Sequence, residues 1–88
     1  MNAENNILQQ LVSLLSSKFE ISREFACSHL TDPLNGKFFR FDAIDMVYFV
    51  LELKKMFDVQ LDDSILKDCT YWGIQDFARY LSNKKATT

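Results

Sequence analysis

An all-α fold is predicted, with four helices, the third of them short, and a long connection after the first. Three observations carry this. Apolar residues recur at the 3.6-residue spacing of an amphipathic helix in three separate windows, near residues 3–19, 41–57 and 74–81. Residues suited to capping stand ahead of the later windows, and the one strong turn signature, Thr31-Asp32-Pro33-Leu34-Asn35-Gly36, falls in the connection between the first two. With 88 residues the chain makes a single small domain, and 14% aromatic content, mostly Phe, supplies a compact helical core without metal or disulfide staples.

The first helix spans about Ala3 to Phe19, with Ile7, Leu8, Leu11, Leu14, Leu15 and Phe19 on its inner side and Gln9, Gln10, Ser13 and Ser16 on the outer. Glu20 to Arg40 is a connection longer than the ~12–15 residues that usually go without structure of their own. Phe25, Leu30 and Leu34 are its anchors, and Ser22 is placed to cap a brief helical turn from Arg23 to His29. Phe38, Phe39 and Phe41 then pack beneath the start of the central helix.

In that helix Met46, Phe49, Val50, Leu53 and Phe57 gather on one arc, a core face, and Asp42 with Asp45 three residues on suits its first turn. The opposite arc carries Ile44, Val47, Tyr48 and Leu51, then Lys54 and Lys55. It is too apolar for a face meant for water, so these six residues are the candidate partner-binding surface. The other reading of the arc is that the long connection covers it. The helix ends near Asp58-Val59, with Val59 and Leu61 folding back as apolar plugs. Asp62 or Asp63 caps the short third helix, and Gly73 or Thr70 opens the last, whose inner face is Ile74, Phe77, Ala78 and Leu81. Trp72 wedges between these two, and the polar tail from about residue 83 to 88 is expected to fray.

The run Asp42-Ala43-Ile44-Asp45-Met46-Val47 resembles the Asp-Ser-Leu-Asp motif and following helix of acyl carrier proteins. Leu51-Glu52-Leu53-Lys54-Lys55-Met56-Phe57-Asp58-Val59 is similar to that helix's end and exit loop, and Ile74-Gln75-Asp76-Phe77-Ala78-Arg79-Tyr80-Leu81 to the family's last helix. The resemblance implies a four-helix acyl-carrier-like bundle over the whole chain, with an ordered long first loop. It also implies a 4'-phosphopantetheine group on a serine, and here this sequence departs. Ala43, flanked by Asp42, Ile44 and Asp45, occupies the attachment position, and a methyl group offers no oxygen for a phosphodiester. No cofactor is therefore expected on the chain as it stands. Arg40-Phe41 replaces the glycine or small residue usual before the motif, and Tyr48, Lys54 and Lys55 replace acids that family members present to partner enzymes, although Ile44, Val47 and Leu51 persist. The expectation is a degenerate carrier-like interaction protein, not an enzyme, that docks a biosynthetic or peptide-modifying enzyme through its second long helix. Relatives of this kind accompany bacterial peptide-maturation or biosynthetic gene sets. The alternative is a genuine acyl or peptidyl carrier whose serine has been replaced by Ala43.

Other functions find less support. A second Asp-Ser-Ile run at Asp63-Ser64-Ile65 leaves too little chain after it for a carrier's remaining helices. Cys27 and Cys69 lack CxxC spacing, and Cys27 with His29, two residues apart in a loop, lacks an orienting third group for nucleophilic or metal chemistry. Asp62, Asp63 and Asp68 lack the glycine and terminal glutamate of a calcium loop. A net charge of −2 argues against nucleic acid. Neither a ~20-residue apolar run nor the layout of a signal peptide is present, so a monomer in the cytoplasm, away from membranes, is expected.

Overall fold

A computed structural model of the chain describes residues 3–61 and 64–86. Five helices follow one another: α1 (Ala3–Lys18), α2 (Arg23–Ser28), α3 (Ala43–Phe57), α4 (Ser64–Asp68) and α5 (Ile74–Ala86), with no strand among the described residues. The all-α architecture is as expected, but the helices number five where four were expected. The extra one is the six-residue turn inside the long connection, where the Ser22 hydroxyl accepts from the Phe25 backbone N–H at 3.0 Å. That hydroxyl satisfies one of the donors a helix start leaves open. The four-helix acyl-carrier-like bundle itself remains a proposal.

α1 buries Ile7, Leu8, Leu11, Leu14 and Leu15, as its periodicity predicts, together with Val12, which the pattern missed. Its principal neighbour is α5, with α2 lying against it from the other side of the chain turn. Near the chain's start the Gln75 amide donates to the Glu4 carboxylate, tying α5 to α1 at their edges. Phe49 sits at the centre of the core, fully buried, with the rings of Phe19, Phe41 and Phe77 at centroid distances of 6.0, 6.1 and 5.1 Å, all edge-on. Edge-to-face rings at this separation add to the burial term. Trp72 was expected to wedge between the last two helices; its ring packs against α5, 5.1 Å from Phe77 and 5.2 Å from Tyr80. No polar or charged side chain is buried among the described residues, so the core is purely apolar.

The long connection does not drape over α3. It is tied to the α4–α5 junction: Gln75 N–H donates to Leu30 O at 2.9 Å, and Leu34 N–H donates to Trp72 O at 3.0 Å. Gly73 makes this approach possible, because a β-carbon there would stand 2.6 Å from Asp32 O and 2.9 Å from Leu30 O. Gly73 also opens α5, with its N–H donating to the Asp76 carboxylate at 3.0 Å. The proposed caps Asp62 and Asp63 lie outside the described residues. At the far end α5 stays helical to Ala86, through most of the polar stretch expected to fray.

Candidate docking face on the central helix

The start of α3 is held by reciprocal hydrogen bonds. Asp45 N–H donates to the Asp42 carboxylate at 2.8 Å, and Asp42 N–H donates to the Asp45 carboxylate at 3.1 Å, completing a capping box. Two acids of one short motif thereby serve helix geometry. Just before them Arg40 adopts φ 58°, the left-handed region that suits glycine. The backbone at this point therefore has the shape a glycine would favour, while the residue is arginine. Ala43 is the first helical residue and is exposed. Its methyl group can neither accept a hydrogen bond nor be esterified. The residues present do not fit a covalently attached phosphopantetheine.

The core arc is buried as expected: Met46, Phe49, Val50, Leu53 and Phe57 all face inward. Across the helix Ile44 is 65% exposed, Tyr48 61%, Leu51 44% and Val47 41%. The reading in which the connection covers this arc is therefore overturned, since that segment is anchored at Trp72 and Gln75 instead. Lys54 is half-buried and Lys55 exposed, the latter 3.9 Å from Glu52. All six sequence-predicted face residues thus lie on one helix, four of them apolar and in water.

Beside this face the packing of α4 leaves space. A cleft of about 490 Å³ runs from Phe41 and Ala43 past Met46 and Val47 to Leu66 and Thr70. A smaller hollow of about 100 Å³ continues between Val47, Leu51 and Lys54 on one side and Leu61, Ile65 and Leu66 on the other. Val47 and Leu66 line both, so the two form one apolar groove along the edge of the exposed arc. Sequence reasoning missed Leu66. The signal was the Ile65-Leu66 pair: on a five-residue helix with Ile65 buried, its neighbour must point elsewhere, and Leu66 is half-buried.

The remaining candidates are placed apart from this face. His29 Nδ1 lies 2.9 Å from an Asp32 carboxylate oxygen, and its ring is 4.0 Å from Phe38 and 4.6 Å from Phe25. Asp32 and the two rings account for its position; Cys27 is exposed on α2 and free. Cys69 is buried, its thiol accounted for by a contact with Leu66 O at 3.9 Å, and burial raises its pKa above the ordinary 9.0. Ser64 is exposed at the start of α4, which ends after five residues. No group of three or more His, Cys, Asp or Glu side chains is arranged to hold a metal among the described residues, and no helix among them is long and apolar enough to cross a membrane. Neither a family model, nor a curated protein, nor a solved structure matches the chain.

Proposed function

We propose that the protein is a non-catalytic, acyl-carrier-like interaction protein that docks an enzyme of biosynthesis or peptide maturation through the outer face of α3, and works in the bacterial cytoplasm without a phosphopantetheine arm. One observation carries the reading: Ile44, Val47, Tyr48 and Leu51 stand together in water on a well-capped helix, next to an apolar groove, with no segment of the described chain across them. These side chains are about half exposed, so leaving them uncovered forgoes about half of the 1.5–3 kcal/mol that full burial of each would supply. A protein partner recovers that by covering them, and Lys54 and Lys55 then favour a partner whose rim is acidic. The carrier likeness enters through the motif around Ala43, the capping box and the left-handed Arg40, and stays at the level of resemblance.

The test is a pull-down from source-cell lysate with the protein and its Leu51→Glu variant, followed by mass spectrometry. One enzyme recovered by the first and lost with the second supports docking; identical recoveries with both remove the main support. The genuine-carrier alternative is separated by Ala43→Ser incubated with coenzyme A and a broad-specificity phosphopantetheinyl transferase. The proposal expects no gain in intact mass, because Tyr48, Lys54 and Lys55 alter the recognition face. Quantitative loading favours the carrier.

A further inference from the structure

The outer face of α3 has a regular internal spacing. Ile44, Tyr48, Leu51 and Lys55 follow one another at steps of four, three and four residues. That is the spacing of a coiled-coil seam nearly two heptads long, in which each helix turn presents one knob to a neighbouring helix. Ile44 and Tyr48 are the most exposed apolar side chains on α3, so the seam lacks its second helix within the described chain.

We propose that the second helix is α3 of another copy of this chain, lying antiparallel about a two-fold axis midway between Tyr48 and Leu51. The choice of occupant and direction comes from charge. α3 has Asp42 and Asp45 at its start and Lys54 and Lys55 near its end, while Glu52 falls opposite the uncharged Val47 in the antiparallel register. In an antiparallel pair Tyr48 meets the other copy's Leu51, and Ile44 meets the other copy's Lys55. The aliphatic stem of that lysine covers Ile44, and its ammonium arrives at the end of the helix carrying Asp42 and Asp45. A parallel pair would set lysines on lysines and aspartates on aspartates. Lys55 is available for this exchange because it is well exposed and its contact with half-buried Glu52, at 3.9 Å, holds it weakly. A two-fold contact repeats each of these pairings twice.

The seam is short, less than the ~800 Å² per partner of a standard interface. The association is therefore weak and reversible, and the expected monomer is one side of an equilibrium. Self-pairing covers the same residues that a foreign enzyme would, so the monomer is the docking-competent form. The inference does not depend on that enzyme's existence, because it concerns the purified chain alone.

Sedimentation equilibrium of the full chain, with Cys27→Ser to prevent adventitious disulfides, tests it from about 20 µM to about 1 mM, the range suited to an interface of this size. The weight-average mass is expected to climb from 10.3 kDa toward twice that value. Leu51→Glu and, independently, Ile44→Asp should each weaken association more than tenfold while leaving the helical circular dichroism unchanged. Lys55→Glu should weaken it at low salt. Orientation is read by mixing Ile44→Cys and Lys55→Cys chains in the same background under mild oxidation, where the mixed disulfide should dominate. A chain that stays monomeric at about 1 mM leaves the face to a foreign protein and overturns the proposal. Association indifferent to both Leu51→Glu and Ile44→Asp, or cross-links joining like positions, overturns it equally.

Discussion

Replacing Gly73 by alanine should destabilise the fold more than a surface glycine normally would, and the size of the effect follows from what surrounds it. The new β-carbon would lie 2.6 Å from Asp32 O, 2.9 Å from Leu30 O and 3.0 Å from the Thr31 carbonyl carbon. All three are backbone atoms, which cannot rotate aside as a side chain could. The connection must retreat, and the hydrogen bonds Gln75 N–H to Leu30 O and Leu34 N–H to Trp72 O lengthen with it. Overpacking of this kind costs about 1–3 kcal/mol, and each weakened hydrogen bond up to about 1 kcal/mol more. Against that, alanine restricts the unfolded chain, a gain of about 0.4–1 kcal/mol, and Gly73 holds no positive φ that alanine would find strained. The balance is a loss of about 2–3 kcal/mol, which for a domain of this size lowers Tm by about 10–20 °C. Differential scanning calorimetry of the purified variant measures it. A Tm within about 3 °C of the parent, or above it, would show that the connection is not clamped at this point. Gly36→Ala is the comparison, since its β-carbon comes no nearer than 3.1 Å to Pro33 O, with two other Pro33 atoms at ordinary contact distance, and its loss should be smaller.

Arg40→Gly should stabilise the protein by about 0.5–1 kcal/mol in urea titration, because the left-handed φ of 58° no longer carries a β-carbon. Asp42→Ala removes one half of the capping box and should cost about 1 kcal/mol, read as a lower thermal midpoint with an unchanged fold. A thiol reagent near pH 8 should add once to the native chain, at exposed Cys27, and a second time only after unfolding, when Cys69 emerges. Burial raises the Cys69 pKa, so the folded state holds that proton more tightly than the unfolded one. This contribution is fully present below the ordinary thiol pKa and disappears as pH rises through the raised value. Stability should therefore decline in alkaline solution, with a smaller slope in Cys69→Ala.

Much of this was legible in the sequence because the relevant signals are local. The 3.6-residue period of α1 and α3 separates inner from outer residues without knowledge of what they touch, and it assigned Met46, Phe49, Val50, Leu53 and Phe57 correctly. Asp42 and Asp45 form their box from neighbours three residues apart. Val12, four residues after Leu8 and three before Leu15, lies at the edge of the same stripe and was left out of the inner set although the period includes it. The course of the long connection was invisible for a related reason: its hydrogen bonds run to residues some forty positions later, at Trp72 and Gln75. The composition of the α3 arc favoured an open face without excluding a covered one, and its exposure in the fold, with the connection clamped elsewhere, decides between them. The groove wall at Leu66 has the same origin, since it depends on how α4 is set beside α3.

The pairing of α1 with α5 bears on how the chain comes to be folded at all. The Glu4–Gln75 contact spans 71 positions, and α5, which packs most extensively on α1, is made after the other four described helices. On a ribosome, at about 5–20 residues per second, the first helix waits several seconds for its lid. Loop closure and helix formation are both far faster than this wait, so synthesis sets the interval during which the stripe lacks α5. A chain interrupted before residue 74 would carry that stripe permanently uncovered. Such a fragment lacks the thirteen residues of α5 and should be a substrate for chaperones and proteases.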